Sequence, residues 1–496
     1  MTNYLRRAIT GSSTVFTLSL IAVLIGFLLR IFLAKNLSIE MYGLFYAVLA
    51  LISFFSIFKS LGLIPALIKY IPEFIVNKQK QSIKNSIWSV LIIQFISFSI
   101  ITSIIIFYSD FLANSYFHNY AAKSLVIILT LSFLISTLDS IIIVTFQSFQ
   151  KIFLFALFPL IKSILFLILT FIFVKLGYGA FGAGMGFFCS SLITSMLFLP
   201  KFLKITFYKI NLAKLTFDAQ IIKKLVLFGF PLLLSTTGYL ILNYTDTLLL
   251  THFKTLTEVG LYNVALPAAS LILYLGTSIS SIVFPLTSEL CAKKNKRTLI
   301  TGIQLLHRFL LIVIVPVALI IFSFSDLVLS LLFGEKYILA QNILKILVIG
   351  TACFTITHVN FSMVSGIGKP KIIAKIVLGV ALLNIILNII LIPLIGVVGA
   401  AISTSISQII MLILSILALK QLINIKLPII SWIKTGLCGI IFLSVITLLR
   451  KKIVLTFWKE LIIILLITIP IYVITLFLLK IITLKEINEI IKKIIN

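Results

Sequence analysis

Charge is scarce in this chain, and acidic charge scarcest. Of 496 residues only 11% are charged, and 13 Asp and Glu face 41 Lys and Arg. Soluble domains carry about 25% charged residues, so most of this surface is not made for water. Cysteine is sparse too: Cys189, Cys291, Cys353 and Cys438 stand far apart with no CxxC spacing, which implies neither a disulfide framework nor a thiolate metal site. Among the four histidines, His118, His252, His307 and His358, none stands with carboxylates at metal-ligand spacing. The phosphate-cradling pattern GxxxxGKS/T is missing; MVSGIGKP comes nearest, with Met363 in place of the first glycine and Pro370 in place of the hydroxyl residue. The roughly ten-residue alternating segments of a membrane β-barrel are absent as well. These absences argue against a metalloenzyme, an ATP-driven machine and a barrel. We expect no catalytic residue, no metal and no cofactor. Any energy input would come from an ion gradient, the membrane potential or consumption of the product.

What the chain does have is long apolar runs, with 61% of its residues hydrophobic. Fourteen such segments fall near 11–34, 43–67, 84–108, 122–147, 152–176, 180–200, 224–251, 259–290, 303–323, 341–366, 371–392, 396–419, 429–449 and 460–480. Each is long enough to cross a hydrocarbon core as a helix, and the short connections leave no room for a soluble domain. The expected class is an all-α polytopic membrane protein. A net charge of +28 would suggest nucleic acid in a soluble protein, but here it belongs to short loops facing anionic lipid, and no nucleic-acid partner is expected. With the N-terminus, the loops after even-numbered segments and the C-terminal tail on one side, 27 of the 41 basic residues lie there, nine lie opposite and five within apolar runs. The positive-inside rule then puts both termini in the cytoplasm of a cell-membrane protein. The basic start (Arg6, Arg7) and first apolar run lack a convincing cleavage site, so they read as a retained helix. One connection disobeys: Arg450, Lys451, Lys452 and Lys459 fall outside, so either the last pair of helices packs peripherally or the count fails there. The closing stretch KIITLKEINEIIKKIIN reads as an interfacial amphipathic helix.

Repetition organises the rest. Gly43 in MYGLFYA matches Gly260 in EVGLYNVA, and Gly179 and Gly182 match Gly396 and Gly399, all at one and the same offset along the chain. Six segments per repeat give both halves the same orientation. The expected domains are an N-terminal six-helix lobe over 1–210, a second over 211–425, and two extra helices with a basic tail over 426–496. The stretches Gly11–Pro72 and Gly229–Pro285 are helix pairs of like build, each with charge inside an apolar run, and we expect them to line a cavity between the lobes.

A charge inside a membrane helix needs a partner or a polar cavity. Arg30 and Asp246 stand one position apart when the repeats are superposed, which a shared cavity or a salt bridge would explain. Lys59 and Lys162 add two cations, and Asp139 could partner either. Arg30, Lys59 and Lys162 are candidate substrate-binding residues for a phosphate-bearing ligand, since guanidinium and ammonium groups suit phosphate oxygens. Against this, Arg30 and Lys162 could snorkel and Lys59 could pair with Asp139. Asp246 and Asp139 are candidates for coupling or gating, or for structural pairs. Arg308 reads as a snorkelling anchor.

The run RIFLAKNLSIEMYGLF, then LGLIPALIKYIPEF, GFPLLLS with DTLLLTHF, VGLYNVA, LLFGEKYILA and NIILNIILIPLIGVVGAAIST, resembles the polysaccharide transporter family, the O-antigen-type flippases of the multidrug, oligosaccharidyl-lipid and polysaccharide exporter superfamily. The resemblance covers essentially the whole chain. It implies two pseudo-symmetric six-helix lobes around a central cavity plus two C-terminal helices. It further implies a flippase that moves a polyprenyl-(di)phosphate-linked oligosaccharide across the membrane by alternating access, with cavity cations for the lipid diphosphate; Arg30 and Lys59 fit by position. Partners would be that lipid-linked oligosaccharide, membrane lipids and a coupling ion, H+ or Na+. The alternatives are a drug or organic-cation antiporter of the same superfamily, which should favour carboxylates in its cavity, and a membrane-embedded glycan polymerase or ligase, which should show a large outer loop.

Overall fold

The computed structural model describes residues 2–57, 62–207, 218–425, 428–452 and 457–483, and these form helices and short turns, with no strand among them. In chain order the helices are α1 (Thr2–Asn36), α2 (Ile39–Phe55), α3 (Leu63–Val76), α4 (Lys80–Phe107), α5 (Ala121–Ser148), α6 (Ile152–Phe173), α7 (Gly179–Phe207), α8 (Ala219–Phe253), α9 (Leu256–Ala269), α10 (Leu273–Ala292), α11 (Lys296–Ser323), α12 (Ser325–Phe333), α13 (Gln341–Gly366), α14 (Pro370–Ile395), α15 (Val397–Ile423), α16 (Ile429–Lys452) and α17 (Phe457–Leu478). A helix such as α5, with 28 residues, is about 42 Å long, more than the roughly 30 Å of hydrocarbon it must cross. Eleven stretches among the described residues are long and apolar enough to span a membrane. One of them, Ile152–Thr206, contains both α6 and α7. Adding the α2–α3 pair and α8 gives about fourteen crossings. This is a multi-pass membrane protein.

Side-chain burial runs opposite to that of a soluble protein. Leu24, Phe107, Ile430 and Leu466 are exposed, whereas Ser190, Thr194, Asn360, Asn388 and Thr468 are buried. In lipid the apolar face gains nothing by turning inward, so packing and internal hydrogen bonds hold the helices together.

The chain divides into two compact units, 1–263 and 264–496. In the first, α3, α4, α5, α6 and α7 share a core of Leu67, Ile71, Ile87, Phe146, Phe158 and Phe198. In the second, α16 and α17 are fastened to α11 and α12 through Ile312, Phe324, Phe442, Ile446 and Tyr472, and the Tyr472 hydroxyl donates to the Ile312 carbonyl at 3.1 Å. Arg450, from the basic connection that breaks the charge rule, pairs with Asp326 at 2.8 Å and with Glu460 at 3.0 Å and donates to the Ser323 carbonyl. Two acids therefore offset one of its four basic charges. The amphipathic reading of the tail covers 480–496; 480–483 are turn and bend rather than helix, and 484–496 lie outside the described residues.

The repeat is visible in the backbone. Gly179 ends the π-helical turn Val174–Tyr178 after α6 with φ 52° and ψ −132°. Gly396, at the matching position after α14, has φ 63° and ψ −142°. Only glycine adopts this conformation without steric cost, so both halves reverse direction with the same device. Gly43 and Gly260 complete the pattern. A Cβ on Gly43 would strike the Leu256 carbonyl, and one on Gly260 would strike the Ile39 carbonyl. Leu256 stands to Ile39 as Gly260 stands to Gly43, at the offset of the repeat. The start of α2 and the start of α9 therefore meet as symmetry mates, backbone to backbone.

Candidate functional site

The first unit holds a cavity of about 520 Å³ among α2, α3, α4, α5 and α8. Ser56, Gln94, Ser140, Thr236 and Tyr239 supply its polar lining, and Ile64, Phe133, Leu233 and Leu240 its apolar walls. None of these described lining residues carries a charge. Gln94 sits mid-span on α4 in SVLIIQFISF, fully buried, and neither its amide nitrogen nor its amide oxygen has a hydrogen-bond partner among the described residues. A lone uncharged amide gives no signal in a charge count. The available clue was a glutamine inside an otherwise apolar run.

Beyond the cavity, toward the α1–α2 turn, lies a polar cluster. The Arg30 guanidinium stacks 4.6 Å over the Tyr46 ring, hydrogen-bonds Tyr42, and lies within the field of Tyr244. Tyr42 donates in turn to the Asn263 carbonyl at 3.4 Å. The Asn263 amide donates to Thr247 at 3.2 Å and to the Val259 carbonyl at 3.0 Å. Asp246, buried on α8, accepts from the Tyr262 hydroxyl at 2.5 Å. Arg30 and Asp246 thus sit in one aromatic neighbourhood, each with its own tyrosine. Two further contacts join this end: Tyr116 donates to the Leu248 carbonyl at 2.7 Å and Asn119 to Glu40 at 2.9 Å.

Toward the α3–α4 turn the closure is different. Glu73 on α3 pairs with Lys224 on α8 at 2.9 Å. Lys224 also lies 4.3 Å over the Tyr70 ring, and Lys69 lies 4.1 Å over Phe228. Just behind them the Gly62 and Gly229 backbones touch so closely that a Cβ on either would strike the other's carbonyl. Glu73 and Lys224 are remote in sequence, and nothing in the sequence pairs them.

The remaining candidates separate. Lys162 meets Asp139 at 2.7 Å, and the second Asp139 oxygen accepts from Ser195 at 2.5 Å. Both carboxylate oxygens are engaged, so of the two cations open to Asp139 in the sequence the structure supplies Lys162. Lys59 lies outside the described residues. In the second unit His307 is buried, with one ring nitrogen 2.9 Å from the Ile303 carbonyl and the other 2.8 Å from the Asn360 amide oxygen.

About fourteen membrane-crossing helices in two repeats, with a cavity among the helices of the first unit, define a transporter-type fold. The solved structure of lipid II flippase MurJ in an inward closed conformation shares it, with a TM-score of 0.74 and 20% identity over 94% of this chain and 98% of that one. Residues 9–291 match the sequence model for polysaccharide biosynthesis proteins, and 231–390 match the one named MatE. The chain belongs to the polysaccharide biosynthesis protein family of membrane proteins. It is 30% identical over its whole length, and over the whole length of the other, to the uncharacterized membrane protein MJ1068 of Methanocaldococcus jannaschii. A shorter similarity, 26% identity over 39% of this chain and 41% of its counterpart, links it to the probable low-salt glycan biosynthesis flippase Agl15 of Haloferax volcanii.

Proposed function

We propose that this protein is a flippase that moves a polyprenyl-(di)phosphate-linked oligosaccharide from the inner to the outer leaflet of the cell membrane, for assembly of surface polysaccharide or glycan. The observation that carries the reading is the cavity between α2, α3, α4, α5 and α8, closed by aromatic and polar contacts at one end and by the Glu73–Lys224 pair at the other. The Glu73–Lys224 end parts at low energetic cost, because a half-exposed ion pair contributes only about 1 kcal/mol or less. The other end is held by buried hydrogen bonds, so its opening requires Tyr42, Asn263 and Asp246 to find new partners. MurJ and Agl15 bear flippase names, and they support the same substrate class here.

In this reading the six-helix lobes are 1–210 and 211–425, with 426–496 as an appended pair of helices and tail, and both termini are cytoplasmic. Arg30 and Lys59 bind the diphosphate as the lipid headgroup enters, and the prenyl tail stays in lipid. Lys162 contributes only if Asp139 releases it, which makes the Asp139–Lys162 pair, with Asp246, the candidate for coupling to H+ or Na+. The protein carries its substrate unchanged and is not an enzyme. An organic-cation antiporter, toward which the MatE match over 231–390 points, would call for carboxylates in the cavity. None lines it among the described residues.

The test is glycan display in a host lacking its own flippase, comparing wild type with Arg30→Ala and Lys59→Ala at equal membrane abundance. Restored outer-leaflet glycan with wild type, and its loss in both variants, is the expected outcome. Failure of wild type while lipid-linked glycan accumulates inside, together with export of a cationic dye, would favour the antiporter.

A further inference from the structure

We infer that the cavity around Gln94 is a subsite for a neutral sugar ring of the glycan, and that Gln94 sets this preference. The inference rests on the flippase reading above.

The argument starts from donors and acceptors. The hydroxyls of Ser56, Ser140 and Thr236 all donate backward into their own helices, to the carbonyls of Ser53 at 2.6 Å, Thr137 at 2.7 Å and Leu233 at 2.9 Å. A hydroxyl has one hydrogen, so each of these side chains presents an oxygen that only accepts. The described lining keeps few donors, the Gln94 amide and the Tyr239 hydroxyl, and no cation. A diphosphate brings acceptor oxygens and negative charge and would find little here to satisfy it. A sugar ring brings several O–H groups, and an N-acetylated ring an N–H as well, which are the donors that such acceptors call for.

Gln94 adds the second observation. It is 0% exposed, yet both amide atoms lack a partner among the described residues, and the residue is one of those that line the cavity. A buried amide left unmade is costly, and leucine would fill the same space without that cost. The feature is accounted for if a ligand completes it. The group required must donate and accept side by side, as a ring hydroxyl or an acetamido group does. A sugar carboxylate cannot donate when ionised, and placing it against described lining residues that carry no charge is unfavourable without a paired cation. The volume of about 520 Å³ falls within the range of about 300–1,000 Å³ usual for small-ligand sites.

The experiment uses the full-length protein in proteoliposomes with three radiolabelled probes: polyprenyl diphosphate bearing glucose, N-acetylglucosamine or glucuronic acid. Crossing is scored by cleavage of the diphosphate link with an added membrane-impermeant enzyme. Wild type should carry both neutral probes at least about tenfold faster than the acidic one. Gln94→Leu should slow the neutral probes by about tenfold, the size expected for one or two lost hydrogen bonds, without lowering the melting temperature of the purified protein. Gln94→Asn, which keeps a shorter amide, should fall between. Equal rates for glucuronic acid, or unchanged neutral rates in Gln94→Leu, would overturn the inference and leave the flippase standing. If Gln94→Leu melts early, Gln94→Asn decides: a partial loss supports the subsite and an unchanged rate refutes it. A wild type that moves none of the probes overturns the flippase reading and this inference with it.

Discussion

Two cations inside the apolar runs of the first unit meet different fates. Lys162 on α6 faces Asp139 at 2.7 Å, and Ser195 takes the other carboxylate oxygen. Arg30 on α1 lies over the Tyr46 ring and against Tyr42, with Tyr244 nearby. The first cation is neutralised by a carboxylate, whereas the second is held by rings and a hydroxyl that orient a guanidinium without cancelling its charge. A cation over an aromatic ring suits arginine in particular. The same kind of charge, in the same kind of segment, is thus half of an ion pair in one place and a ring-held candidate ligand group in the other. What separates them is the chemistry of the partner.

The largest expected effect tests the ion pair. Lys162→Ala leaves the Asp139 carboxylate, 5% exposed, with no cation beside it, and should destabilise the protein by about 3 kcal/mol, as broken buried pairs do. The double variant Lys162→Met/Asp139→Leu should recover most of that loss, since apolar residues of similar volume replace such pairs at little cost. Denaturant unfolding in detergent reads both. A double variant that is stable and still transports assigns the pair to structure. One that is stable but uncoupled from the ion gradient moves it to coupling.

Next in size is Arg30. Charge-assisted bonds to a phosphate are worth about 1.5–3 kcal/mol, so Arg30→Ala should cut transport tenfold or more while barely moving the unfolding midpoint. Arg30→Lys, which keeps charge but loses the planar stack, should retain part of the activity. If Arg30→Ala instead unfolds the protein as Lys162→Ala does, the contrast between the two cations collapses.

The fold was legible because membrane spans announce themselves. Apolar runs of about 20 residues admit essentially one structure, and the glycine pairs repeated at a constant offset mark backbone positions that reappear with matching dihedral angles at Gly179 and Gly396. The partner of Asp139 was not legible. Lys59 and Lys162 both lie in neighbouring spans, and which face of a helix a residue occupies depends on packing that spacing alone does not encode. Nothing in the sequence pairs Glu73 with Lys224, which belong to helices distant along the chain. Gln94 escaped for the opposite reason: it has no charge, and only its burial without a partner among the described residues marks it.

The smallest effect sharpens the comparison in the second unit, where Arg450 and Asp326 form a half-exposed version of the Lys162–Asp139 pair. α12, which carries Asp326, lies outside the membrane-spanning stretches. Burial by itself would push the Asp326 carboxyl up, but the hydrogen bonds and charge of Arg450 outweigh it and hold the group below the ordinary carboxylate range. A depressed carboxylate adds stability above its unfolded-state pKa, near about 4, and that contribution disappears as pH falls from there through the folded-state value. Below about pH 4 the packing of α16 and α17 against α11 and α12 should therefore weaken, by about 1 kcal/mol or less because water screens the pair. Asp326→Asn should be slightly less stable than wild type at pH 7 and should lose less on acidification, as read from melting curves at the two pH values. Partnered cations would then form a graded series: costly to break where the carboxylate is buried, as at Asp139, and cheap where it meets water, as at Asp326. Arg30 stands outside that series because its partners are rings. If Asp326→Asn loses as much on acidification as wild type, this half-exposed pair adds no stability, and partner chemistry separates the cations only where the carboxylate is buried.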